Sequence, residues 1–70
     1  MFFKILDVNR DCGDIIKVKL DGGGIVNTFY FEKSGDDVLY SHSFAVGVTT
    51  GKMLLSEAIP ELQEVYAQVK

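Results

Sequence analysis

Apolar and polar residues alternate along two central stretches of the chain, Ile15–Leu20 and Ile25–Lys33. An alternation with a period of two is typical of a β-strand with one buried face. The run Asp21-Gly22-Gly23-Gly24 separates the two stretches, and its glycines accept the positive φ angles of a tight hairpin turn. The middle of the chain is therefore predicted to be a β-hairpin.

One further strand is predicted on each side of this hairpin, over Phe2–Val8 and from Val38 to about Val48. The intervening segments, residues 9–14 and 34–37, are rich in Asn, Asp, Gly and Ser, which favour turns. Short turns connect antiparallel neighbours, so a four-stranded meander is the simplest topology.

The first of these strands has two conflicting apolar phases. Phe3 and Ile5 point to one side of an ideal strand, whereas Leu6 and Val8 point to the other. One extra residue in a β-bulge would bring both phases to the same side.

The C-terminal segment changes to a helical period. Leu62, Val65, Tyr66 and Val69 follow one another at i, i+3, i+4 and i+7, which predicts an amphipathic helix. Pro60 is expected near a helix start or at a kink in a longer helix, so we expect one kinked helix or two short ones between about Thr50 and Val69. Ser56 is the candidate cap of a helix whose first turn contains Pro60. The predicted fold class is α+β, a single ββββα domain over residues 1–70 with the helix packed on one face of the sheet.

Alternation divides the sheet residues between two faces. The face beneath the helix is predicted to carry Ile16, Val18, Leu20, Phe29, Phe31, Tyr40, Phe44 and Val46. The other face, hereafter the open face, is predicted to carry Ile15, Lys17, Lys19, Val26, Thr28, Tyr30, Glu32, Leu39, Ser41 and Ser43. Four of these open-face residues are large and apolar or aromatic, and no predicted element remains to cover them.

Composition narrows the class of protein. Seventy residues, beginning with Met1, suit one small complete domain, and 47% hydrophobic residues are too many for a disordered chain. The lone Cys12 forms no internal disulfide, and charge interrupts the short apolar N-terminus, so we expect a cytoplasmic chain without signal peptide or membrane span. Ten acidic against seven basic residues give a net charge of −3, which disfavours non-specific nucleic-acid binding.

Four features resemble chemical sites only superficially. The run from Asp7 to Cys12 has alternating oxygen ligands but lacks the glycine and the final glutamate of a calcium loop. Residues 47–52 lack the spacing of a phosphate-binding loop. The single histidine, His42, has no identifiable catalytic partner and falls on the buried face, and Cys12 has no second cysteine. We therefore expect no catalytic residues, cofactor or metal.

The leading functional hypothesis is a small non-enzymatic interaction module, a stoichiometric regulator or inhibitor of the kind that phages encode, that binds a partner protein or itself as a homodimer. Its expected contact surface is the open face, through Ile15, Lys17, Lys19, Val26, Thr28, Tyr30, Leu39 and Ser41. A second predicted surface, the acidic edge, consists of Asp11, Asp14, Asp36, Asp37, Glu57, Glu61 and Glu64. Its aspartates are expected to lie together because the first and third turns of a meander are at the same end of the sheet. Its glutamates extend this surface along the helix. The alternative function is nucleic-acid binding through Lys17, Lys19 and Tyr30.

Overall fold

A computed structural model describes residues 3–45 and 48–70, apart from the side chains of Cys12, Phe44, Ala45 and Val48. The strands are β1 (Lys4–Cys12), β2 (Ile15–Gly22), β3 (Ile25–Ser34), β4 (Asp37–Ala45), β5 (Val48–Thr49) and β6 (Met53–Leu54). A single turn of 3₁₀ helix, Leu55–Glu57, leads towards the α-helix α1 (Pro60–Val69). The α+β class and the antiparallel meander are confirmed.

The sheet is five strands wide rather than four. The order is β1-β2-β3-β4-β5, and β6 also pairs with β4. Thr50 fastens the segment between the two short strands to β4, because its N–H donates to the His42 carbonyl and its Oγ1 accepts from the His42 N–H, both at 2.9 Å. Val48 was expected within the fourth strand, but it begins β5 and lies opposite Ala45.

Tight two-residue turns connect the first four strands. In the central hairpin, Gly23 and Gly24 have φ angles of 73° and 91°, and the Gly24 N–H donates to Asp21 Oδ1 at 2.9 Å. The Gly22–Ile25 pair closes the ladder at this turn. The glycine run therefore fixes the register of β2 and β3, as its composition predicted.

A β-bulge resolves the two apolar phases of β1. Ile5 lies opposite Leu20 and Val8 opposite Val18, and the register shifts between Ile5 and Asp7. The extra residue, Leu6, is exposed. Ile5 and Val8 thereby both pack against the core, so the predicted bulge is confirmed.

The core lies between the sheet and α1. Its buried members are Val18, Leu20, Phe29, Phe31, Leu55, Leu62, Val65 and Val69, with Ile16 and Tyr40 partly buried beside them. Phe31 packs against Tyr66 with ring centroids 5.4 Å apart. The predicted buried face is confirmed for Ile16, Val18, Leu20, Phe29, Phe31 and Tyr40. Val46 and the Phe44 side chain lie outside the described part of the chain.

The segment before α1 differs from its prediction. Met53 and Leu54 form β6 instead of a helical turn, and Pro60 occupies the first helical position, where its missing N–H costs nothing. The helix therefore begins at Pro60 and is not kinked there. Its N-cap is Ile59 without a side-chain cap, so the prediction of Ser56 as the cap was wrong.

Arg10 ties the end of α1 to the edge strand β1. Its guanidinium donates from Nε and Nη2 to the Val69 carbonyl oxygen, at 3.0 and 2.8 Å. A cation at a helix C-terminus also interacts favourably with the helix dipole. This contact fixes the direction in which α1 crosses the core side of the sheet.

Candidate interaction face

The strand register arranges the open face in rows across the sheet, because directly opposite residues share a face. One row contains Ile15, Glu32, Leu39 and Leu54, and the next contains Asn9, Lys17, Tyr30 and Ser41. The third contains Asp7, Lys19, Thr28, Ser43 and Thr49, and the last contains Lys4, Asp21 and Val26. All eight predicted contact residues thus belong to one continuous surface opposite the helix.

These residues differ in how much of the side chain reaches solvent. Lys17, Lys19 and Val26 are exposed, with Val26 at 52% of its full accessibility. Ile15, Thr28, Tyr30 and Leu39 are half-buried among their neighbours. Ser41 is only 8% exposed, which corrects its prediction as an accessible contact residue.

An ion pair lies in the same part of the open face as Ser41. Lys52 lies in the connection between β5 and β6, and its Nζ lies 2.5 Å from Glu32 Oε1. Lys52 and Glu32 border a cleft of about 110 Å³, which Ile15, Tyr30, Leu39, Tyr40 and Ser41 also line. The edge connection therefore extends over one end of the open face and forms a shallow, largely apolar depression there.

Charges on the open face are locally balanced. Lys19 lies opposite Asp7, Lys4 lies opposite Asp21, and Lys52 is paired with Glu32. Lys17 instead has Asn9 and Tyr30 as its opposite neighbours. Paired charges weaken the positive potential that a nucleic-acid phosphate backbone requires.

Basic residues lie beside the acidic edge. The Asp14 and Asp36 turns lie at the same end of the sheet, where the Lys33 N–H donates to the Asp14 carbonyl at 3.2 Å. Six of its predicted members are exposed and one, Glu61, is half-buried. Lys33 and Lys70 line the clefts beside Asp14 and beside Asp36 and Asp37, so cations interrupt the predicted acidic surface.

The other residues considered for catalysis, metal binding or phosphate binding take part in packing or hydrogen bonding, or lie in the wrong structural context. His42 stacks on Phe29 with ring centroids 4.5 Å apart and an interplanar angle of 3°, as expected for a packed histidine. Asn9 Oδ1 accepts from the Asp11 N–H at 2.8 Å within the irregular end of β1. Lys52 precedes a strand instead of the helix that a phosphate-binding loop requires. Over residues 3–45 and 48–70, no three potential metal ligands cluster together.

Sequence reasoning missed several members of this surface, among them Leu54, Lys52 and Asp7. Leu54 and Lys52 were assigned near a helix, although they lie in or beside β6. Asp7 joins the open face because the bulge at Leu6 changes the phase of β1. For Asp7 the predicted bulge already contained the necessary signal, whereas Lys52 depends on a contact between distant parts of the chain.

Comparisons with protein-family models, curated proteins and solved structures found no match to this chain. Among the described helices, none has the length and apolarity needed to cross a membrane.

Proposed function

We propose that the chain is a small non-enzymatic interaction module that regulates a partner protein by stoichiometric binding through the open face. The observation that carries this proposal is the side of the sheet that no helix of the described part of the chain covers. Its apolar and aromatic side chains, Ile15, Val26, Tyr30 and Leu39, form one surface with balanced charges around them. Exposed apolar area bordered by polar residues is the usual composition of a protein interface.

The sheet edges support a contact through the face instead of strand addition. The outer strand β1 carries register shifts after Ile5 and after Asn9, and the opposite edge consists of two strands of two residues each. Bulges and short edge strands are devices that prevent another strand from pairing. A partner would therefore bind the open face more readily than either edge.

Site-specific photo-crosslinking tests this proposal. A photoreactive amino acid is placed at Thr28 on the open face, and matched probes replace the exposed Gln68 of α1 and Asp36 of the acidic edge. In cells that produce the chain naturally, we expect discrete adducts from Thr28 and none from Gln68. Adducts confined to Asp36, or none from any position, would contradict the proposed contact surface.

Nucleic-acid binding is the second candidate, because Lys17 lies directly opposite Tyr30 on β2 and β3. A base stacked on Tyr30 with its phosphate near Lys17 would use both side chains. In a titration with a single-stranded oligonucleotide, this function requires an affinity that falls steeply with salt and a loss on Lys17→Glu. Exposed Lys33 provides the matched control, Lys33→Glu, outside the open face.

A further inference from the structure

The open face has a symmetry that its register makes visible. Ile15 of β2 and Leu39 of β4 both lie opposite Glu32 of β3, one on each side. Lys17 and Ser41 flank Tyr30 in the same way. The apolar residues are thus distributed evenly about β3, whereas the lysines lie on the β2 side and the hydroxyl groups on the β4 side.

We propose that a second copy of this chain covers the open face, related by a two-fold axis that runs along β3 in the plane between the two sheets. This inference rests on the proposed role of the open face as an interaction surface and names a second copy of the chain as its occupant. Such an axis places β2 over the partner's β4 and β3 over the partner's β3. Ile15 then faces the partner's Leu39, and Lys17 faces the partner's Ser41.

The same axis brings like residues together along β3. Val26 faces the partner's Val26, and Tyr30 faces the partner's Tyr30. Glu32 faces the partner's Glu32, but each carboxylate already has Lys52 beside it. Apolar residues therefore meet apolar residues, and no uncompensated charge meets its like.

A two-fold axis across the strands gives a worse match. If this axis crosses the strands midway along the face, β2 lies over the partner's β2 and the two strands run in opposite directions. Lys17 then approaches the partner's Lys19. Opposed lysines in an interface are unfavourable because both charges lose water and repel each other. The charge pattern therefore selects the axis parallel to the strands.

The size of the face suits a modest affinity. Five strands at about 4.8 Å spacing and four rows about 7 Å apart make a face of roughly 20 by 20 Å, at the small end for a specific protein interface. Two sheets of this kind pack about 10 Å apart, with side chains of both faces in contact. We expect dissociation in the micromolar range.

Sedimentation equilibrium with adjacent matched variants is the first test. Val26 and Ile25 are exposed β-branched neighbours on opposite faces of β3, at 52% and 66% accessibility. The wild-type chain is expected to pass from monomer to dimer over roughly 1 to 300 µM. Val26→Lys opposes two lysines and raises the dissociation constant at least about tenfold, whereas Ile25→Lys leaves it unchanged.

A mixing experiment tests the axis itself. Ile15→Lys and Leu39→Glu each place charges against apolar partners, so either variant alone is expected to be monomeric. In an equimolar mixture, Lys at 15 meets Glu at 39 across one half of the interface while native Ile15 and Leu39 meet across the other. Restored dimerisation supports the axis along β3, and a mixture that stays monomeric overturns it.

The outcomes separate this inference from the proposed function. If the wild-type chain remains monomeric over the whole concentration range, the proposal that a second copy covers the open face is overturned. Photo-crosslinked adducts of the open face with a different protein would still support the proposed interaction module. A dimer that Val26→Lys does not weaken overturns the use of this face. Circular dichroism verifies folding of each variant, and because Val26 is exposed beside Asp21, Val26→Lys keeps the proposal testable if a variant at Ile15 or Leu39 fails to fold.

Discussion

Glycine has its clearest structural role at the tip of the central hairpin. Gly24 has a φ angle of 91°, in a region where a side chain strains the backbone even though a Cβ atom would meet no neighbour within 4 Å. The cost of a substitution there is therefore conformational and does not arise from a clash. Gly51 also has open space around it but no positive φ angle.

This difference leads to a prediction for two single substitutions. Gly24→Ala is expected to lower the free energy of unfolding by about 1 to 2 kcal/mol, because alanine resists a positive φ angle. Gly51→Ala is the matched control and should leave stability unchanged or slightly increased. Urea unfolding followed by circular dichroism measures both, and equal effects of the two substitutions would contradict this account of the turn.

The burial of single side chains was predictable wherever apolar and polar residues alternate regularly along a strand. Val18, Leu20, Phe29 and Phe31 follow the pattern and are all buried. Ser41 follows the same pattern onto the open face, but it is 8% exposed and lies in a cleft that Lys52, from the connection between β5 and β6, also lines. Its burial depends on a contact between distant segments, which periodicity does not encode.

At the scale of elements, the hairpins were easier to predict than the segment before the helix. Glycine turns and alternating flanks are local signals, and they placed β2 and β3 to within two residues at their ends. The run Met53-Leu54-Leu55 has no distinct period, so periodicity does not separate strand from helix. Its strand structure comes from pairing with Leu39 and Tyr40.

The contact between β1 and α1 gives a prediction at the same scale. Arg10→Ala removes two hydrogen bonds to the Val69 carbonyl and is expected to cost about 1 kcal/mol of unfolding free energy. Arg10→Lys should recover part of that loss, because an ammonium group retains the charge but not the two-pronged geometry. Chemical denaturation of both variants measures these differences.

The control for this contact is Lys33→Ala, which removes an equal charge at the same end of the sheet from an exposed position. It should have a smaller effect than Arg10→Ala. If the two substitutions destabilise the chain equally, general charge and not the hydrogen bonds to α1 explains the effect of Arg10.

At the scale of the whole molecule, the proposed dimer makes thermal stability depend on concentration. Association stabilises the folded state by mass action, so the wild-type Tm is expected to rise by roughly 3 to 5 °C for each tenfold increase in concentration above the dissociation constant. Val26→Lys should move the onset of this dependence to at least about tenfold higher concentration, and Ile25→Lys should leave the onset where it is in the wild type. Differential scanning calorimetry over a concentration series locates the onset, and an onset shared by all three proteins would contradict the open-face dimer.

The bulge at Leu6 has a consequence for insertions and deletions. On either side of it, Ile5 pairs with Leu20 and Asp7 with Lys19, so loss of Leu6 alone would leave β1 in continuous register. The fold would tolerate that deletion, but β1 would become regular from Lys4 to Asn9, with only the register shift after Asn9 left. A straight edge is a template for the strands of other molecules, so the extra residue protects the chain against aggregation rather than contributing to its core.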